Sequence, residues 1–311
     1  DYAAEGERWW LLLQREAESD PACGAAVGSM FGLAIGDAVG HPLEFVSVEG
    51  KPEDPVRPCL WRELREGVLS YRRPLNTFGM KPGQWTDDTS MALCLADSLL
   101  ANEGYHGGDS RLRWYNWWFH GYCNAFRFDG KRTDRSSVGL GGNVGESLRE
   151  IKKWAADAEE PASAVPAIYS SGGDDSGNGS IMRLAPVAIA YHGDVRDAME
   201  VAALQSRATH PGEEAAACCR FMADFIVNAI AAHREATSPP NRDPRAFISS
   251  CVEGFQVLHA GRESPAWVRL RALLTCKPPS PKESNWNWQL DKLEICEALA
   301  ARRSGPDGRY N

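Results

Sequence analysis

The sequence predicts an all-α domain, and three observations carry that prediction. No segment sustains the period-two alternation of a half-buried strand, and none forms a convincing hairpin. Apolar residues recur at helical spacing in one segment after another. Several of those segments open on a capping residue or a proline, as at Thr86, Asp194 and Pro211. With 311 residues, 43% of them hydrophobic, the chain can bury a large core, and one large domain is preferred over two small ones.

Residues 1–21 are expected to form an N-terminal extension docked on a domain spanning 22–311. Its apolar run, Trp9 to Leu13, is short and flanked by Glu5, Glu7, Glu16 and Glu18, which fits neither a signal peptide nor a membrane span. Residues 22–40 carry glycine at 24, 28, 32, 36 and 40, one bare face of a helix. Each glycine costs about 1 kcal/mol against alanine, so close backbone approach is expected and the segment reads as a central helix. Asp37 sits near its C-terminal end, where the helix dipole disfavours an acid; it reads either as a solvated surface carboxylate or as a group kept for another purpose. The Pro-rich stretch 49–83 reads as a long functional loop.

A helix is expected from Thr86, with Met91, Ala92, Leu95 and Leu99 facing inward. Residues 110–128 read as a buried aromatic helix with Leu112, Tyr115, Trp118 and Phe119 on its inner face. Ser136 to Leu148 is a glycine-rich turn feeding a helix to about Asp157. Ser170 to Arg183 repeats that device, with a helix beginning near Ser180 and Pro186 either starting a new turn or kinking it. Asp194 caps a helix carrying Ala198, Val201, Ala202 and Leu204. Pro211 opens a long helix to 237 whose apolar face runs through Cys218, Phe221, Met222, Phe225, Ile226 and Ile230. Helical patterns follow at 243–260, 264–276 and, after a Pro/Ser loop, 288–303.

The net charge of −8, with no sizeable Lys/Arg cluster, argues against direct nucleic-acid binding, and no segment argues for a membrane partner. Nine cysteines without CxxC or zinc-like spacing argue against a disulfide framework and for a reducing, intracellular and cytoplasmic setting.

Two stretches carry candidate chemistry. Thr86-Asp87-Asp88-Thr89 is either an ordinary capped helix start with acids complementing the dipole, or an oxygen-rich site for a hard divalent cation. Ser170 to Arg183 is either an exposed capped loop or a cradle whose free amides hold a diphosphate. His210 lies at a helix junction, where a histidine is more often a structural hydrogen-bonder than a catalyst.

Taken together, Gly-x-x-x-Gly-Asp-Ala-x-Gly at 32–40 with Glu44, Gly-Gln-Trp-Thr-Asp-Asp-Thr at 83–89, Gly-Asn-Gly-Ser-Ile-Met-Arg at 177–183 and Thr-His-Pro at 209–211 resemble the ADP-ribosylglycohydrolase family. That family includes the dinitrogenase reductase-activating glycohydrolase and the vertebrate ADP-ribosyl-acceptor hydrolases. The resemblance implies a compact all-α, magnesium-dependent enzyme that hydrolyses an ADP-ribosyl bond, releasing ADP-ribose from a modified side chain or a related compound. By matching position, Thr86, Asp87 and Asp88 are the implied ligands of a Mg²⁺ pair, with Mn²⁺ as a substitute. Glu44, Asp87 and Asp88 are the implied catalytic acids. Gly177, Asn178, Gly179, Ser180 and Met182 are implied at the diphosphate and ribose, His210 at the ligand, and Gly141, Gly142, Asn143, Val144 and Gly145 in an additional binding turn.

The family's second metal half-site, an Asp-x-Asp-Thr near the C-terminus, has no match before Asn311. The expectation is that a separate C-terminal fragment completes the metal site. The alternatives are an ADP-ribose-binding pseudoenzyme and a structural protein of the same fold.

Overall fold

A computed structural model describes residues 2–43, 77–156, 165–171, 175–234 and 243–276. The regular elements among them are all helical, as expected: α1 (Tyr2–Ser19), α2 (Pro21–Gly40), α3 (Asp87–Ala101), α4 (Gly107–His120), α5 (Gly142–Ala156), α6 (Ala185–Ala190), α7 (Val195–Arg207), α8 (Glu213–Arg234), α9 (Pro244–Leu258) and α10 (Pro265–Leu274). Short 3-10 turns occupy His41–Leu43 and Asn178–Ser180. Glu44, most of the Pro-rich loop, the expected helix at 288–303 and the C-terminal run from Gly305 lie outside the described residues.

Local capping sets many of the helix starts. Asp20 accepts from the Ala22 amide at 2.9 Å, Asp194 from the Arg196 amide at 2.8 Å, and Asp243 from the Arg245 amide at 3.0 Å. Pro21, Pro244 and Pro265 stand in the first turn of α2, α9 and α10, where a missing N–H costs no hydrogen bond. The helix expected near Ser180 begins at Ala185 instead, after the 3-10 turn, and Pro186 starts it rather than kinking it.

The centre of the bundle is α8, which packs against α2, α6, α7, α9 and α10. This corrects the expectation that residues 22–40 supply the central helix. In α2 only Asp37 and Ala38 are buried, and of its five glycines only Gly24 would bring a Cβ within 4 Å of a described neighbour. Its apolar surface, including Phe31, Ile35 and Val39, is exposed, with α1 lying along it and Trp10 edge-on to Phe31 at 5.4 Å.

The α8 face also differs from expectation. The helix begins at Glu213, and its buried residues are mainly small: Ala215, Ala216, Ala217, Cys219 and Ala223, with Val227 and Ile230 further along. These meet Ala198, Ala202 and Ala203 of α7, so that two backbones approach closely; the larger Phe221, Met222 and Phe225 sit at the partly covered margin. A second apolar cluster joins Met199 and Ala217 to Phe255, Trp267 and Leu270 of α9 and α10.

In α4 the inner face is Ser110, Arg111, Trp114 and Trp117, one position round from the expected face of Leu112, Tyr115, Trp118 and Phe119. The reason is Arg111. Its fully buried guanidinium donates to the carbonyls of Pro166 (2.7 Å), Ile168 (3.2 Å) and Ser147 (3.2 Å) and to Glu150 (2.7 Å), tying α4 to α5 and to residues 166–168. A buried cation with this set of acceptors is compatible with the core, whereas a hydropathy count assigns it to solvent.

Candidate active site

The N-terminus of α3 is organised by a residue 49 positions earlier. Thr86 stands at the N-cap, but its hydroxyl does not cap the helix. Asp37, brought in on the last turn of α2, does so instead. Its carboxylate accepts from the Thr86 amide (2.9 and 3.0 Å to the two oxygens), the Thr86 hydroxyl (2.7 Å), the Thr89 amide (3.0 Å) and the Thr89 hydroxyl (2.8 Å). A buried carboxylate is thereby satisfied by the orphan amides of a helix start, whose dipole favours the negative charge. The surface reading of Asp37 is corrected: it is 9% exposed and serves another helix.

Asp87 and Asp88 follow in the first turn, Asp87 buried and Asp88 partly so. The loop before α5 closes on Asp87. Gly139 has φ +89°, and a Cβ there would lie 2.0 Å from Asp87 Oδ1. Only glycine admits both that conformation and that approach. On the other side, Trp85 Nε1 donates to the Cys123 carbonyl at 3.2 Å and Gln84 donates to Asp129 at 3.0 Å, holding the strand of chain that leads into α3.

Burial, reinforced by the charge of Asp37, pushes the Asp88 carboxyl up to about 7 from its ordinary 3.8. The fold therefore holds the Asp88 proton more tightly than the unfolded chain does. That contribution to stability is complete below pH 3.8 and is lost as pH rises through about 7. Metal-free protein is expected to melt at progressively lower temperature between pH 5 and 8, and Asp88→Asn to flatten that slope. Thermal denaturation in EDTA measures it; equal slopes in the two proteins would contradict this placement of Asp88. Asp224, buried on α8 and pushed up to about 6 by burial, contributes a similar slope in both.

The second half of the site surrounds His210. Gly177 and Gly179 lie against the imidazole, since a Cβ on them would sit 3.4 and 3.2 Å from Nε2. The Cβ on Gly177 would fall 3.2 Å from the side-chain Nδ2 of Asn143, and that on Gly179 would fall 3.5 Å from Val144 Cγ2. Thus Asn143, Val144, Gly177, Gly179 and His210 are brought together from three separate stretches. Burial first, then the neighbouring Arg183 charge, push His210 down to about 3, so the ring is neutral at physiological pH.

Two other expected binding residues, Ser180 and Met182, turn towards the core. The Ser180 hydroxyl is buried against Ser206 Oγ at 2.8 Å and accepts from Cys219 at 3.4 Å. Met182 packs on the main apolar cluster, and Val144 is a member of it. The Gly145 amide donates to the Gly141 carbonyl at 2.9 Å, which leaves Gly142, Asn143 and Val144 as the leading amides of α5. Asn178 is exposed on the 3-10 turn. Glu44 lies outside the described residues.

The two halves form one site because a single segment lines both. Gly139 touches Asp87 and, four residues later, Asn143 lies at the His210 loop, a separation of at most about 14 Å of chain. Beneath them runs Arg183, fully buried, stacked 3.7 Å above the Trp114 ring and within range of the Asp87 charge. The structure adds Arg183, Asp37, Gly139 and Thr209 to the site. Arg183, Asp37 and Thr209 stand inside the quoted motifs and Gly139 inside the glycine-rich turn, which is the signal the sequence offers for them.

The donor set of the first half is all oxygen. The Thr86 hydroxyl spends its proton on Asp37, which leaves its lone pairs for a cation, and the Asp88 carboxyl, raised by burial first and by the Asp37 charge second, lies in a negative field that a cation would offset. This suits a hard, partly hydrated divalent ion. Among the described residues no group of three or more His, Cys, Asp or Glu side chains is placed to hold a metal ion.

Comparison with known proteins gives a consistent picture. The ADP-ribosylglycohydrolase family profile matches residues 19–306. The chain is 32% identical over 257 residues to the ADP-ribosylarginine hydrolase Tri1 of Pseudomonas putida, covering 80% of this chain and 60% of that protein. It is 31% identical over 205 residues to the Tri1 of Serratia proteamaculans, covering 65% and 46%. It is 30% identical over 205 residues to the ADP-ribosyl-[dinitrogen reductase] glycohydrolase of Rhodospirillum rubrum, covering 66% and 58%. The chain therefore spans about half to three-fifths of the length of these relatives.

Proposed function

Because this chain belongs to the ADP-ribosylglycohydrolase family, we propose that it contributes the site for Mg²⁺-dependent hydrolysis of an ADP-ribosyl bond, with ADP-ribosylated arginine as the substrate class. The observation that carries the proposal is the meeting, along Gly139–Val144, of a carboxylate cluster with a loop presenting a neutral imidazole. A diphosphate and a ribose need hydrogen-bond donors; an anomeric carbon under attack by water needs a proton acceptor and a counter-charge nearby.

In this reading Thr86, Asp87 and Asp88 would hold the Mg²⁺ pair, with water completing the shell and Mn²⁺ as a substitute. When bound, the cation would supply charge stabilisation to the reacting sugar. The chain's own groups do the rest. The leading amides of α5 and the Gly177–Gly179 turn bind phosphate oxygens, His210 donates from its ring, and Asp87 or Asp88 takes the proton of the attacking water. Glu44 is proposed as the acid near the scissile bond.

The test is release of ADP-ribose from a mono-ADP-ribosylated arginine peptide by this chain, with Mg²⁺ and with EDTA. Turnover that needs Mg²⁺ and falls on the order of 10²–10³-fold in Asp87→Asn is the expected result. A second reading, an ADP-ribose binder without turnover, is favoured by the meeting of Asn143, Gly177, Gly179 and His210, which needs no residue of the carboxylate half. That reading wins if calorimetry shows ADP-ribose binding while the peptide stays intact.

A further inference from the structure

Arg183 is fully buried and held by contacts to the face of its guanidinium and to all three guanidinium nitrogens. Its guanidinium stacks on Trp114, and its Nε donates to Gln205 Oε1 at 2.9 Å. One terminal nitrogen donates to the Gln205 carbonyl at 2.9 Å and to Thr209 Oγ1 at 2.7 Å. The other faces Met91 Sδ at 3.9 Å. The Gln205 amide is oriented in turn by donating to the Ser180 carbonyl at 2.8 Å. Thr209 Oγ1 lies 2.8 Å from His210 Nδ1, and the His210 amide donates to the Ser206 carbonyl at 2.7 Å, so the imidazole is held at both backbone and ring.

Guanidinium has donors and no acceptor. Thr209 Oγ1 therefore accepts from Arg183, and its own proton needs an acceptor elsewhere. Thr209 is fully buried, and among the described residues Nδ1 is the acceptor within reach. A proton on Nδ1 would leave the threonine hydroxyl proton stranded in the core, at a cost of about 1–3 kcal/mol as an unsatisfied buried group.

We propose that Arg183, acting through Thr209, holds His210 as the tautomer protonated at Nε2, so that the ring presents one N–H donor at the Gly177–Gly179 turn. This inference rests on the reading of that turn as an ADP-ribose-binding loop. Arg183 and Thr209 are positioning residues, and His210 binds an anionic or hydroxyl oxygen as a neutral donor rather than serving as an acid or base. The Nε2 atom has no acceptor among the described residues and lies on the edge of the ring facing both glycines. The design also explains why a histidine stands here in place of a cation: a second positive charge beside the buried Arg183 would be disfavoured.

The test is ¹⁵N-edited NMR of the imidazole nitrogens in the full chain at pH 7, with the His210 signals assigned by their loss in His210→Asn. The expected result is a bare Nδ1 and a protonated Nε2 in wild type and in Thr209→Ser, and mixed tautomers in Thr209→Val. ADP-ribose affinity is expected to fall about tenfold in Thr209→Val and to be restored in Thr209→Ser. A protonated Nδ1 in wild type, or an unchanged tautomer in Thr209→Val, overturns the relay. The wild-type spectrum decides the tautomer even where Thr209→Val fails to fold. An Nε2–H tautomer in a protein that does not bind ADP-ribose supports the relay and overturns the functional reading, so the two fail separately.

Discussion

Asp37→Ala is expected to destabilise the protein by about 3 kcal/mol and to abolish the activity proposed for it. The carboxylate accepts from two backbone amides and two hydroxyls at the start of α3, all buried. Its removal leaves those donors without acceptors in a place that water reaches poorly, and the first turn of α3 carries Asp87 and Asp88. Both threonine hydroxyls can turn to new acceptors, which is why the penalty is set by the amides and not by all four bonds. Asp37→Asn keeps the shape and one acceptor oxygen but turns an NH₂ towards donors, so an intermediate loss of about 2 kcal/mol is expected. Urea denaturation measures both. A loss below 0.5 kcal/mol for the alanine variant would show that α3 starts without Asp37, since ordinary surface substitutions fall within about that range.

Gly139→Ala is expected to act on chemistry more than on stability. Alanine at φ +89° is strained by about 1 kcal/mol, and its methyl group would overlap Asp87 Oδ1 outright. The carboxylate must move by 1 Å or so, and a displacement of that size at a reacting centre costs on the order of 10²-fold in rate. The measurement is ADP-ribose release from the modified arginine peptide, with chemical denaturation alongside and Gly130→Ala as control, because a Cβ at Gly130 meets nothing within 4 Å. Activity retained in Gly139→Ala would mean that Asp87 is not held by the loop, or that its position is irrelevant to turnover.

The sequence by itself determined the helical class, most helix boundaries and the order of the motifs. These are local matters: an Asp194 or Asp243 caps the amides two or three residues ahead of it, a first-turn proline needs no hydrogen bond, and a 3.6-residue period reports one covered face. The α7 start and the division between α9 and α10 follow from such signals alone.

Tertiary structure decided which faces turn inward and how the site is assembled. The aromatic helix α4 rotates to bury Arg111 because acceptors from α5 and from residues 166–168 meet it there, a set of partners that periodicity cannot show. Helix α8 becomes the centre, and α2 does not, because the alanines of α8 are matched by alanines on α7, while four of the five glycines of α2 meet no described neighbour. Thr86 marks the start of α3 in sequence, yet the acceptor that satisfies that start is Asp37, on another helix. The same holds for Gly139 against Asp87 and for Arg183 beneath His210 through Thr209. A buried polar group must be satisfied by whatever the fold brings within about 3 Å, and that partner is set by packing, not by its distance along the chain.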